Sequence, residues 1–250
     1  RFHILDSLGN IVTPMKMTYA LSVQNYEPND IVFAALADGE LLEQGLTLNT
    51  NIFDNNNELA LKLGLEAMVV NEDDNENENK DEGRKTKDEG RKTKDEGDNR
   101  RLRIRLTPDE PVIGYAKFQL NKDNHITLGK KNAITANVKM RSDDGMGLEL
   151  ISGEHEAWQD LTLSLTRINL QKLTSGIPYA PKISGMLDGD LHIVMNSMTE
   201  MTVSTDMSVE NMVYEKSPIG NLSTQFVYMP EEEGNQHYVD GTVSLDDREI

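Results

Sequence analysis

An all-β fold, drawn out as a long antiparallel sheet with one apolar face, is what this sequence predicts, and three observations carry the expectation. From Leu161 to the end, apolar residues fall on every second position through most of the chain, the side-chain period of a strand with one buried face. Between the alternating stretches stand Gly, Asn and Asp, the residues that tight turns select. Strand follows strand with no amphipathic helix between them, which favours antiparallel pairing over βαβ units.

The elements are read in order. Before residue 71 the strand candidates are Met17 to Val23, Ile31 to Ala37, Glu40 to Leu48 and Glu58 to Val70. The last is the clearest, with Leu59, Leu61, Leu63, Leu65, Ala67 and Val69 on one face. Leu102, Ile104 and Leu106 repeat the alternation, so the two stretches are expected to form one long hairpin. Shorter hairpins follow: Tyr115 to Leu120, a turn at Asn121 to Asn124, Ile126 to Leu128, then Ile134, Ala136, Val138 and Met140. The Asp143-Asp144-Gly145 turn leads to a strand from Gly147 to Ile151. The apolar spacing changes only at Ile168 to Leu173, where a single helical turn ended by Gly176 and Pro178 is expected. The strand Gly185-Met186-Leu187-Asp188-Gly189-Asp190-Leu191-His192-Ile193, its echo Val239-Asp240-Gly241-Thr242-Val243-Ser244-Leu245 and the weaker copy Asp38-Gly39-Glu40-Leu41 are recurrent β units too irregular for a solenoid.

Residues 71 to 99 contain no aliphatic or aromatic side chain, and KDEGRKT occurs there twice, from Lys80 and from Lys87, before beginning again at Lys94. A seven-residue period with charged, Gly or Thr residues at its a and d positions has no seam for a coiled coil. The stretch therefore reads as a disordered or solvated extension of a hairpin loop. The chain divides into an N-terminal β segment, 1–70, a charged low-complexity loop, 71–100, and a C-terminal β segment, 101–250, as one β domain interrupted by the loop. It opens and closes in mid-pattern and is read as a segment of a longer protein.

Composition narrows the function. A net charge of −18 from 25 basic and 43 acidic residues argues against nucleic acid as a partner and against an anionic membrane surface. Cysteine is absent, so neither disulfides nor thiolate metal sites are available, and no apolar run is long enough for a membrane-spanning helix. No nucleophile elbow, phosphate loop or dinucleotide fingerprint occurs. His3, His125, His155, His192 and His237 stand singly, without metal-ligand spacing. Asp143-Asp144-Gly145, Asp54 to Asn57 and Asp246-Asp247 match turns better than calcium loops. Glu154 and Glu156 near Trp158 lack the support a glycosidase pair needs. The expectation is a non-enzyme with no cofactor and no metal site. Twelve Met against five Phe and one Trp give a soft apolar surface, suited either to filling a core or to a partner of ill-defined shape.

Ile183-Ser184-Gly185-Met186-Leu187-Asp188-Gly189-Asp190-Leu191, Met207 to Glu215 and Pro218-Ile219-Gly220-Asn221-Leu222 followed by Phe226-Val227-Tyr228 resemble repeats of the TamB translocation and assembly module family. The form is the one in Bacteroides-like bacteria. Upstream, Tyr115 to Asn124 and Ala136-Asn137-Val138 are similar to the same family's hairpins, so the resemblance spans about Asp30 to Ile250. It implies a curled sheet, the β-taco or open groove of AsmA-like proteins, with an apolar concave face. It implies the periplasmic portion of an inner-membrane-anchored envelope protein that bridges towards the outer membrane. Its groove would carry phospholipid acyl chains, or assist assembly of outer-membrane or secreted proteins. Other parts of the parent would meet an outer-membrane β-barrel of the TamA or BamA type. A structural or adhesin-like β spacer with no lipid role is the rival expectation. The charged insert departs from the family pattern.

The groove-lining candidates are the alternating apolar residues themselves. In the N-terminal segment they are Leu59, Leu61, Leu63 and Leu65; beyond the loop come Ile134, Val138, Leu161, Leu163 and Leu165. Leu191, Ile193, Met201, Val203, Met207, Val209 and Phe226 complete the set.

Overall fold

The structure is a computed structural model. It describes residues 15–24, 32–42, 44–71, 100–129, 133–153, 158–177, 180–197, 200–230, 237–246 and 248–249. The charged repeats, His3, His155, Glu154 and Glu156 lie outside them.

Among the described residues, fifteen strands form one antiparallel sheet. The N-terminal lanes are β1 (Met15–Gln24), β2 (Val32–Leu42), β3 (Gly45–Phe53), β4 (Leu59–Asn71) and β5 (Arg100–Ile113). The middle holds β6 (Ala116–Leu120), β7 (His125–Leu128), β8 (Ile134–Ser142), β9 (Gly147–Ser152) and β10 (Gln159–Asn169). The helix α1 (Leu170–Ser175) follows, then β11 (Ile183–Met195), β12 (Met201–Tyr214), β13 (Ser217–Pro230), β14 (His237–Leu245) and β15 (Arg248–Glu249). Each lane pairs with its neighbour in sequence, a meander in which β6 and β7 lie end to end in one lane between β5 and β8. The all-β expectation holds, and so does the hairpin across the charged loop: Leu65 faces Leu106, Ala67 faces Ile104 and Val69 faces Leu102.

One strand expectation is corrected. Glu40 to Leu48 is not continuous, because the chain reverses between Leu42 and Gly45, which pair with each other. Leucines on both sides of the reversal hide it in the sequence. Gly45, just past the reversal, lets β3 lie close against β4, since a Cβ there would stand 2.2 Å from the Ala67 carbonyl oxygen.

The lane shared by β6 and β7 is interrupted at Asn121 to Asn124, and a side chain repairs it. Asn124, 1% exposed, accepts the Leu106 N–H through Oδ1 at 2.7 Å and donates from Nδ2 to the Asn121 carbonyl at 3.0 Å. A buried backbone donor left alone would be expensive, so the Asn substitutes for a missing rung of the ladder. The end of β8 is completed in the same way. The Ile134 N–H donates to Gln159 Oε1 and Gln159 Nε2 donates back to the Ile134 carbonyl, both at 2.7 Å, while Ala136 N–H donates to Ser152 Oγ at 2.8 Å.

The sheet curls. Laid flat, β4 and β10 would be five lanes apart, about 24 Å at the usual strand spacing. Instead the segment leaving β10 reaches back to β4: a Cβ on Gly176 would stand 3.0 Å from the Ala60 carbonyl oxygen and 3.0 Å from the Gly114 Cα. The recurrent Asp-Gly units take part. Gly39 faces Leu48, Gly189 faces Leu165 and Met207, and Gly241 faces Phe226, so each puts its Gly on the apolar face and its Asp on the polar one. Glycine at such positions lets strands bend and approach closely on the concave side.

Candidate functional site

Cross-strand partners share a face of a sheet, and the register assembles the predicted residues into rows. Leu161, Ile193, Val203, Tyr228 and Val239 run across β10 to β14. Beside them run Leu163, Leu191, Thr205 and Phe226, and then Leu165, Gly189, Met207, Thr224 and Val243. Leu187, Val209, Leu222 and Leu245 form a fourth row. Met201 faces Met195, which faces Gln159. In the N-terminal lanes Leu65 lies between Leu48 and Leu106, Leu61 between Ile52 and Ile113, and Leu59 opposite Phe53. Leu63 pairs with Thr50 on one side, and on the other it meets the irregular stretch of β5 between Thr107 and Val112.

The opposite face is polar. Ser164, Asp190, Asp206, Gln225 and Thr242 form one row and Thr162, His192, Ser204, Val227 and Asp240 another. Hydrogen bonds knit it: Ser164 Oγ donates to Asp190 and Gln225 Nε2 to Asp206 Oδ2 at 3.1 Å. His192 Nε2 lies 2.8 Å from Oδ1 of the buried Asp160. Two other histidines have local partners: His125 Nδ1 is hydrogen-bonded with the Asp123 carbonyl at 2.9 Å and His237 stacks on Tyr228 at 5.5 Å. Asp54 Oδ1 accepts the Asn56 and Glu58 N–H groups at 2.9 and 2.8 Å, a turn as expected. Among the described residues no group of His, Asp and Glu is arranged to hold a metal.

The apolar face differs along its length. In the middle lanes it is closed into a core of Phe118, Leu120, Val138, Met140, Met146 and Ile168, against which Leu106, Leu150, Leu165 and Leu187 pack. Val138 is 2% exposed, so of the predicted groove residues it lies sealed inside the protein rather than at a groove wall. Helix α1 adds to the closure made by the curled strands. Asn169 caps it, accepting the Lys172 N–H at 3.0 Å, and Gly176 ends it, as the sequence predicts. Leu170 and Leu173 turn onto the core. Away from α1 the other candidates are half-buried, and the face opens towards β14, with Phe226 37% and Val239 60% exposed. The methionines divide: Met201 and Met207 face the concave side, whereas Met229, opposite Tyr238, is on the other and exposed. Met198 lies outside the described residues.

Sequence reasoning missed the closing elements. Phe118, Leu120 and Met146 alternate no differently from groove residues, and Gln159, Ser152 and Asn124 act through backbone groups that alternation does not register. The helical turn was visible, but not what it covers.

Lys172 ties α1 to the β8–β9 turn by a salt bridge with Asp144, whose carboxyl is held below its ordinary value of 3.8 by hydrogen bonds from Lys172 and Ser142. A lowered folded-state value contributes stability above pH 3.8 that is lost as pH falls through the folded value. The pair is largely exposed, so its contribution is about 0.2–1 kcal/mol. Urea unfolding should show Asp144→Asn less stable than the unaltered chain at pH 7, with the gap narrowing as the pH falls below 3.8. A gap unchanged at pH 3 would remove the tie.

No helix among the described residues is long and apolar enough to cross a membrane. Compared with protein-family models, curated proteins and solved structures, the chain matches none.

Proposed function

We propose that this chain is a length of apolar trough from a TamB-like protein of the diderm envelope, in the periplasmic portion of an inner-membrane-anchored parent. It carries lipid acyl chains along the concave face, or assists outer-membrane or secreted protein assembly there, without catalysing a reaction. A β-barrel of the TamA or BamA type meets other parts of the parent. The observation that carries the reading is the set of apolar rows from β10 to β14, half-buried or exposed on one face and backed by a polar face. Leaving such a face to water is unfavourable by about 25 cal/mol per Å², and acyl chains relieve it without demanding a fixed shape.

A spacer filled by its own side chains is the second reading, favoured by the closed core under α1. Val203→Arg separates the two. For a trough, circular dichroism should show the variant folded, and mass spectrometry should find the lipid that co-purifies with the unaltered chain from envelope lost from it. Absence of lipid from the unaltered chain, or unfolding of the variant, would defeat the trough.

A further inference from the structure

A second apolar opening lies outside the trough, on the side of α1 that faces away from the core. A cleft of about 380 Å³ is bounded by the end of α1, residues 180–182, the start of β11 and the β12–β13 turn. Its walls include Ile177, Pro181, Ile183 and Val213, and its rim carries Lys182 and Lys216. Two lysines at one apolar opening stand out in a chain of net charge −18. The acid beside them, Glu215, is held by the backbone of Lys182, whose N–H donates to its carboxylate at 2.9 Å and whose carbonyl accepts the Glu215 N–H at 2.8 Å, so the two lysines leave the rim with a net positive charge. Lys216 has no ion pair among the described residues. Ile177, 47% exposed, stands at the edge with nothing apolar required of it by the core.

From this arrangement we infer that the cleft is a binding site for a single-chain anionic amphiphile, the tail against Ile177, Ile183 and Val213 and the head at Lys216. The volume is near the lower end of small-ligand sites, roughly 300–1,000 Å³, which suits one tail rather than two. Apolar walls with one charged group at the rim are the usual division of labour in such sites: the walls give affinity and the charge fixes orientation. The inference rests on the trough reading only in sharing its class of cargo, and the two sites are separable by mutation.

Calorimetric titration with sodium dodecanoate below its micelle concentration tests it, with dodecyl maltoside as the neutral-headed probe and butyrate as the head without a tail. Saturable one-to-one binding of dodecanoate is expected, with butyrate silent. Lys216→Glu should weaken dodecanoate about tenfold, the scale of one charge-assisted contact, and leave the maltoside unchanged. Ile177→Asp, at an exposed position that folding should tolerate, should weaken both. Dodecanoate binding that survives Lys216→Glu and Ile177→Asp would overturn the cleft. If that surviving binding is lost in Val203→Arg, the amphiphile belongs to the trough, so the cleft fails while the trough reading stands. A failure of Val203→Arg to release lipid, with the cleft variants behaving as expected, is the reverse result.

Discussion

Phe118→Ala should destabilise the fold by about 3–5 kcal/mol, because the ring is 3% exposed and its removal leaves a cavity that the sheet and α1 cannot collapse to fill. Domains of ordinary stability have about 5–15 kcal/mol to lose, so the urea midpoint should fall steeply. The informative comparison is Phe226→Ala. Phe226 shares the concave face but lies on the open side, 37% exposed, and its truncation should shift the midpoint far less. Equal shifts for the two variants would mean that the face is buried to the same degree along its length, contrary to a closed centre with open flanks.

Gly114→Ala is the second large effect expected. Gly114 has φ +58, and a Cβ on it would stand 1.9 Å from the Lys172 carbonyl oxygen and 2.8 Å from the Leu173 Cα. The left-handed backbone alone disfavours Ala by about 1–2 kcal/mol. The collision with helix backbone adds to this by lifting α1, and with it the partly buried Leu170 and Leu173, each contributing less than the roughly 1.5–3 kcal/mol of a fully buried leucine. Gly145→Ala is the control, since Gly145 has φ +89 with nothing within 4 Å of an added Cβ. It carries the backbone strain without the collision. Limited trypsin digestion reads the difference: cleavage after Lys172 should accelerate in Gly114→Ala and not in Gly145→Ala. Matching digestion of both variants would show that α1 is not seated by that contact.

Strand identity was legible because period-two alternation is a local property: Leu59 to Val70 and Leu102 to Leu106 declare both their strands and their pairing. Depth was not. Val138 and Val203 sit in near-identical alternating contexts, yet one is sealed and the other half-open, because the first lies in the core that the curled middle lanes and α1 enclose and the second lies lanes away from it. That difference depends on residues 60 and 114 meeting residues 172 to 176, a contact between distant parts of the chain that no window of sequence contains. The irregularity in β5 was similarly hidden. Between the pairs Gly64–Thr107 and Lys62–Val112, β4 holds only Leu63 while β5 holds Pro108 to Pro111, so a parity count along β5 fails there. The reversal at Leu42 and Gly45 escaped for the opposite reason, since leucines continue through it.

The helix has a further consequence for how the molecule comes apart. In a meander each lane touches only the lanes beside it, so stability is close to a sum of nearest-neighbour terms, as in repeat arrays. Helix α1 departs from that scheme by joining β10 to the β4 and β5 lanes across the curl, which binds the middle of the sheet into one cooperative unit. The lanes beyond it, β12 to β15 on one side and β1 to β3 on the other, keep the one-dimensional character and fray inwards from the edges. Opening is thereby cheapest where the concave face is least covered, and the sheet can part at its flanks while the centre stays folded.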